Sequence, residues 1–247
     1  MRPDDEVDFG FKKVKAGEKV KLVENVFSDV AKNYDLFNDI ASFGLHRTWK
    51  KYVIWLANIQ PQDKILDIAS GTGDLALELS RKLNNFGSVV MTDINSEMLN
   101  KGRIKTIDAG FVIPSVIANA EYLPFKNQHF DKVTIAFGLR NIADKKKSLL
   151  EFKRVLKNGG KLVILEFSRV EKPFDKIYDW YSFNVLPFIG KKIVGNGDAY
   201  KYLAESIKMY PLPEEISSLL KDVGFTTVRY QKLSFGIVTI HQAFVSH

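Results

Sequence analysis

The stretch Lys64–Asp74, KILDIASGTGD, constrains this chain more than any other. Ile65, Leu66 and Ile68 form an apolar run that reads as a buried strand. Ala69-Ser70-Gly71-Thr72-Gly73 breaks the run, and its glycines let the backbone turn sharply and approach a ligand closely. Asp74 opens a helical pattern through Leu75, Leu79 and Leu83. Strand, glycine-rich turn and helix are the opening unit of a nucleotide-binding α/β sheet.

Gly71, Gly73 and Ala76 fit a dinucleotide fingerprint loosely, with the acidic Asp93 at a suitable distance downstream. Asp67, inside the strand just before the loop, argues against that ligand. A carboxylate there repels a pyrophosphate. S-adenosylmethionine carries no phosphate. Its sulfonium and amino group suit a carboxylate at the turn, and its ribose hydroxyls suit Asp93. The charge pattern therefore places methyl-donor binding ahead of dinucleotide binding.

At 247 residues and 45% hydrophobic, the chain is long enough for one α/β domain, 1–247, with a full core. It has no cysteine, which excludes disulfides, thiolate metal sites and methylation by an attacking thiol. Its four histidines lack metal-ligand spacing, so no metal site is expected. A net charge of +7 fits nucleic acid, an anionic membrane surface, or plain solubility. The lysines are scattered and there is no Asn-Pro-Pro-aromatic motif, so no nucleic-acid partner is expected. MRPDDEVDFG is acidic and lacks the apolar segment of a secretory signal. Trp180–Gly190 is too short to span a bilayer and is interrupted by Pro187. The expected location is the cytoplasm, with peripheral contact on the inner face of the membrane left open.

Along the chain, residues 1–17 read as an irregular arm. A helical pattern follows from Glu18, with Val23, Val26, Phe27, Val30, Tyr34, Phe37 and Ala41 on one face. Asp35, Asn38, Asp39 and Ser42 share the next face, where solvation is the ordinary explanation. Gly44 stops the helix, and another runs from His46 to about Asn58, making 18–58 a helical cap. The sheet strands read as Lys64–Ala69, Ser88–Thr92, Val112–Ala118, Lys132–Ala136 and Lys161–Phe167. Pro114 sends the third to an edge. Between them, Ser96 caps a helix with Met98, Leu99 and Ile104 inward, and Asp144 caps another. Asn158-Gly159-Gly160 turns into the fifth strand. Residues 171–212, rich in aromatics, form a helical insertion on the substrate side. A helix Pro213–Val223 and two closing strands, Thr226–Leu233 and Gly236–Val245, complete the chain. The fold expected is a Rossmann-like α/β sheet of seven strands, mostly parallel with an antiparallel closing strand.

The GTGD turn, Asn119-Ala120-Glu121 with Leu123-Pro124-Phe125, and Arg154–Gly160 resemble class I methyltransferases. Four further stretches resemble one family: YDLFNDIASFGLHRTWK (Tyr34–Lys50), FGLRN (Phe137–Asn141), YSFNVLPFIG (Tyr181–Gly190) and YKYLAESI (Tyr200–Ile207). Together they are similar to the ubiquinone/menaquinone biosynthesis C-methyltransferases of the UbiE/MenG type. The resemblance runs from about Phe9 to the C-terminus. It implies methyl transfer from S-adenosylmethionine to a ring carbon of a polyprenylated quinol. It also implies cofactor contacts at Thr72, Asp93, Asn119 and Ala120. Ser70, Phe37 and Asn158 depart from the family's usual glycine, methionine and proline. Ala136 stands where related sequences can carry a cofactor-contacting serine. The alternatives are another small-molecule S-adenosylmethionine-dependent methyltransferase, acting on a sterol or a phenol oxygen with the same fold and cofactor, and a non-catalytic member of a quinone-biosynthesis complex; a homo-oligomer and such a complex remain open.

A quinone ring is electrophilic, so the competent acceptor is the quinol, best as its phenolate. Arg140, beyond the fourth strand, could hydrogen-bond a phenolic oxygen and lower its pKa, or form a structural ion pair, perhaps with Asp144. Asn141 either orients that oxygen or caps a turn. Asp39 and His46 are proton-acceptor candidates, against a solvated helix face and a helix-start hydrogen bond. Tyr178, Tyr181, Phe183 and Phe188 either wall an apolar slot for the ring and the start of its tail or are ordinary core. Lys191-Lys192 beside them would face anionic lipid or simply solvent.

Overall fold

A computed structural model describes residues 2, 4–84, 86–193, 195 and 197–246 of the chain, and of Lys32, Phe37 and Ile193 the backbone alone. A hairpin comes first, β1 (Glu6–Phe9) with β2 (Lys12–Lys15). Helices α1 (Ala16–Val30), α2 (Tyr34–Ser42) and α3 (Leu45–Ala57) precede the sheet. Then β3 (Lys64–Ile68), α4 (Asp74–Leu83), β4 (Ser88–Asp93), α5 (Ser96–Asp108), β5 (Ser115–Ile117), β6 (Phe130–Ala136), α6 (Lys145–Val155) and β7 (Leu156–Phe167) alternate. The insertion follows as α7 (Asp175–Trp180), a π-helical turn, α8 (Leu186–Ile193) and α9 (Gly197–Met209). The chain closes with α10 (Pro213–Asp222), β8 (Thr226–Leu233) and β9 (Val238–Phe244).

The strand order is β5-β4-β3-β6-β7-β9-β8, and β9 alone runs antiparallel to its neighbours. This is the expected mostly parallel seven-stranded sheet. Its order reverses between β3 and β6, which opens a crevice beyond their carboxyl ends, where open α/β sheets bind ligands. Alternation along β7 explains why both sheet faces are covered. Val163 and Leu165 join Trp49, Val53 and Leu79 on one face. Leu162 and Ile164 join Phe152, Ile216 and Leu220 on the other.

Several local expectations are corrected. The arm 1–17 holds the β1–β2 hairpin, because Phe9 stacks on Tyr202 at 4.4 Å, a contact local pattern cannot reveal. The helix expected from Glu18 divides at Asn33, whose backbone leaves helical geometry (φ −120°, ψ 23°). On its apolar face Val23, Val30 and Ala41 are buried, while the side chain of Phe37 lies outside the described residues. Asn95, not Ser96, caps α5, accepting from the Met98 N–H at 3.0 Å. Ile104 is 51% exposed, because Gly102 rather than Ile104 faces the sheet side of that helix. The third strand shortens to β5 behind Pro114, at the edge as read. Residues 158–160 belong to β7 and bond to Val245. Asp144 caps α6 as expected.

His241 of β9 is 2% exposed and donates from Nε2 to the Pro213 carbonyl at 2.9 Å. Burial holds its pKa down at about 4. Protonation is thus easier in the unfolded chain, so stability is lost as pH falls from about 6.5 toward 4. In urea unfolding, the wild type should lose up to about 3 kcal/mol relative to His241→Gln across that window. Parallel curves for the two proteins would contradict it.

Candidate functional site

The crevice is organised by the loop after β3. Ala69, Gly71 and Gly73 all adopt positive φ, at 51°, 54° and 75°. The Gly71 N–H donates to Asp93 Oδ2 at 2.8 Å, and the Ser70 N–H to the Thr92 carbonyl at 2.9 Å. Ser70 Oγ donates to the Asp67 carbonyl at 2.8 Å. Helix α5 presses on the outside of this loop at Gly102. A Cβ there would lie 2.9 Å from the Gly71 carbonyl oxygen and 3.0 Å from the Thr72 carbonyl carbon. Gly102 was not singled out from sequence. Its signal was present, because a lone glycine inside a helix costs about 1 kcal/mol against alanine and implies a packing reason.

Beside the loop lies a cavity of about 830 Å3, including its open mouth. Val23 and Phe27 of α1, Tyr34 of α2 and Met98 of α5 supply apolar and aromatic wall. Of the residues named from sequence, Gly71, Asp93, Asn119, Ala120, Ala136 and Asn141 line it. Three acids, Glu24, Asp93 and Glu121, face this space, and no lysine, arginine or histidine is among its described lining residues. Asp93 accepts from the Gly71 and Asn95 N–H groups, and burial raises its pKa. Each carboxylate oxygen keeps a further lone pair for a ligand hydroxyl.

Asp67, Thr72 and Gly73 sit next to this cavity without lining it. Asp67 is 1% exposed beneath the loop, with Thr134 Oγ1 donating to its Oδ1 at 2.7 Å and Oδ2 unpartnered. Burial raises its pKa to about 7, so only about half its charge is present near neutrality. The acidity that sequence reasoning placed at Asp67 is met at Asp93, Glu24 and Glu121 instead. Thr72 Oγ1 donates to Asp35 at 2.9 Å, tying the loop to α2. Gly73 is the left-handed cap of α4, with Met91 Sδ only 3.1 Å from where a Cβ would stand.

Arg140 is 7% exposed, and its partner is Glu166 rather than Asp144. Nη1 donates to Glu166 Oε1 at 2.8 Å, and the backbone N–H to Oε2 at 3.1 Å. The guanidinium also lies over the Phe167 ring at 5.4 Å. Asn141 Oδ1 accepts from Tyr202 Oη at 3.0 Å. Glu166 and Tyr202 were missed. A lone glutamate within the apolar run LVILEF was the available signal for the first.

Asp39 and His46 are brought together, Nε2 to Oδ1 at 2.8 Å, but neither lines the cavity. Arg47 grips Asp39 at 3.0 and 2.8 Å and, with His46, holds its pKa down at about 2, which makes it a weak base. Burial lowers the pKa of His46. The aromatic slot is divided. Tyr181 stacks on Phe43 at 5.4 Å, and Phe183 on Phe11 at 6.0 Å. Tyr178 and Phe183 line a separate small cleft, and Phe188 is exposed.

The chain has close relatives among known proteins. It is 48% identical over 234 residues to a ubiquinone/menaquinone biosynthesis C-methyltransferase, UbiE, from Bordetella avium, covering 95% of this chain and 91% of that one. Among solved structures, a SAM-dependent methyltransferase from Aquifex aeolicus matches with a TM-score of 0.54 at 18% identity, covering 94% of this chain and 100% of that chain. The [4+2]-cyclase SpnF matches at 0.62 and 15% identity, covering 81% of each. A fold shared with a cyclase says nothing by itself about the reaction. The model of the ubiE/COQ5 methyltransferase family matches residues 13–245, and the chain belongs to that family.

Proposed function

We propose that the protein transfers a methyl group from S-adenosylmethionine to a ring carbon of a polyprenylated quinol, in ubiquinone or menaquinone biosynthesis. The observation that carries this reading is the 48% identity to a UbiE enzyme across nearly the whole of both chains. The cavity supports the cofactor independently. Its acids and its lack of basic lining suit a ligand whose charged groups include a sulfonium and an amine, and oppose a phosphate-bearing one. Bound there, the cofactor supplies an electrophilic methyl group on sulfur.

The chain's own residues do the rest. Asp93 accepts the ribose hydroxyls with the oxygen lone pairs left free by Gly71 and Asn95. Asn119 and Ala120 flank the adenine. The apolar side chains of α1 and α5 exclude water, which would otherwise weaken every charge interaction at the reacting centre. Asn141, fixed by Tyr202, orients the acceptor oxygen. Arg140 acts by position and charge: locked on Glu166, it holds the turn after β6 and favours an oxyanion nearby. The Asp39–His46 pair braces α2 against α3.

The finer reading places the enzyme peripherally on the membrane that holds its substrate. Ile177, Trp180 and Phe188 are 68%, 64% and 59% exposed along one face of the α7–α8 run. Lys191 and Lys192 follow directly, with Lys192 over the Phe188 ring at 4.6 Å. An apolar stripe ending in cations suits the boundary of an anionic bilayer. Among the described residues no helix is long and apolar enough to cross one.

Three outcomes test this. Labelled S-adenosylmethionine with chemically reduced methoxy-polyprenyl-benzoquinol or demethylmenaquinol should place label on a ring carbon; no label with either sinks the quinol assignment. Asp93→Ala should weaken S-adenosylhomocysteine binding about 10- to 100-fold by calorimetry, the value of charge-assisted hydrogen bonds. In flotation with anionic vesicles, Trp180→Glu with Phe188→Glu should abolish binding. Lys191→Glu with Lys192→Glu should reduce it roughly tenfold or more, at about 1 kcal/mol per lost cation. Unchanged flotation in both variants would remove the membrane reading.

A further inference from the structure

The β1–β2 hairpin roofs a second cavity, of about 610 Å3 including its mouth. It shares only Ala143 with the cofactor cavity among the described lining residues. Its interior has more hydrogen-bond donors than acceptors. Lys19 of α1 is 3% exposed, yet its ammonium reaches only the Ile142 carbonyl, at 3.5 Å. Lys145 of α6 donates to the same carbonyl at 3.1 Å. Neither lysine makes an ion pair among the described residues. Tyr210, just beyond α9, lines the cavity too, and its buried hydroxyl has no partner.

The acids around this cluster are otherwise engaged. Asp8 pairs with Lys13 at 2.7 Å, and Glu166 holds Arg140. Asp144 caps α6, while Glu121 accepts the Asp144 N–H at 3.0 Å. Glu6 is exposed on the hairpin. Burying the Lys19 amine and half-burying that of Lys145 without a carboxylate is unfavourable, and so is burying a hydroxyl without an acceptor. One ligand with several strong acceptor oxygens and negative charge relieves all three groups at once.

We propose that this cavity is an oxyanion site, taking a small phosphate-class dianion between the Lys19 and Lys145 ammonium groups and the Tyr210 hydroxyl. The cavity adjoins the methyl-transfer centre through Arg140 and Tyr202, which also line it, but its other polar residues play no part in that centre, and its polar lining excludes a prenylated ring. The protonation of Lys19 supports the same assignment. Burial and the neighbouring Lys145 lower its pKa to about 7, so it is about half protonated near neutrality, and an anion beside it would favour the charged form.

Calorimetric titration of the intact chain with sulfate at constant ionic strength tests this, because sulfate stays divalent across neutral pH. Saturable binding in the millimolar range or tighter is expected. It should be up to about tenfold tighter near pH 6 than near pH 8, following the charge on Lys19. Lys19→Met and Lys145→Met should each weaken it about tenfold or more, and Tyr210→Phe a few-fold, whereas Lys19→Arg keeps it. Unchanged S-adenosylhomocysteine affinity in each variant shows that the fold is intact. No saturable sulfate binding by the wild type, or wild-type binding by the Lys19→Met/Lys145→Met double variant, overturns the proposal.

Discussion

The carboxylate of Asp93 bonded to the Gly71 N–H is the interaction on which the site depends. It joins the end of β4 to the turn after β3, the two strands on one side of the crevice. The turn itself is unfavourable in isolation. Ala69 adopts φ 51°, and a non-glycine residue in that region costs of order 1 kcal/mol or more. Ser70, bonded to Thr92 and to the Asp67 carbonyl, and Gly102, pressed against the turn from outside, hold it in that shape. Across the crevice the second wall is equally tight. A Cβ on Gly138 would stand 2.5 Å from the Ala69 Cβ, so the turns after β3 and β6 touch. The cavity is the space these two turns leave, closed by α1 and α2.

Electrostatics then select what enters. Asp93, Glu24 and Glu121 face the cavity with no cation among its described lining. Cations nearest the two turns are committed elsewhere. Lys50 and Lys105 bind Asp74, and Arg140 binds Glu166. This segregation lets an overall basic protein keep an acidic cavity. It also sets a division of labour. The cavity presents carboxylate acceptors, whereas Arg140 sits behind it in a buried pair whose disruption would leave Glu166 charged in the core.

Much of this was legible in the chain. Lys64–Asp74 gave away the strand, the turn and the helix, because glycines at a strand end have few other uses. Asp93 followed from its spacing, and Pro114 identified the edge strand. What stayed hidden was whatever depends on a distant partner. Nothing local says that Phe9 stacks on Tyr202, that Arg140 finds Glu166 26 positions further on, or that Asp67 turns beneath the loop onto Thr134. A strand residue's side depends on its register. Asp67 sits one position off the Leu66–Ile68 face, and Thr134 across the sheet takes its carboxyl. Ile104 was misplaced for a related reason, since Gly102 turns the small face of α5 inward.

An acidic, phosphate-rejecting cavity beside the Gly71–Asp93 contact should bind the methyl donor and refuse a dinucleotide. Calorimetry of the intact chain with S-adenosylmethionine and with NAD+, under the same buffer, tests it most directly. Micromolar binding of the first and none measurable of the second is the predicted result. Comparable affinity for the two, or binding of NAD+ alone, would contradict it.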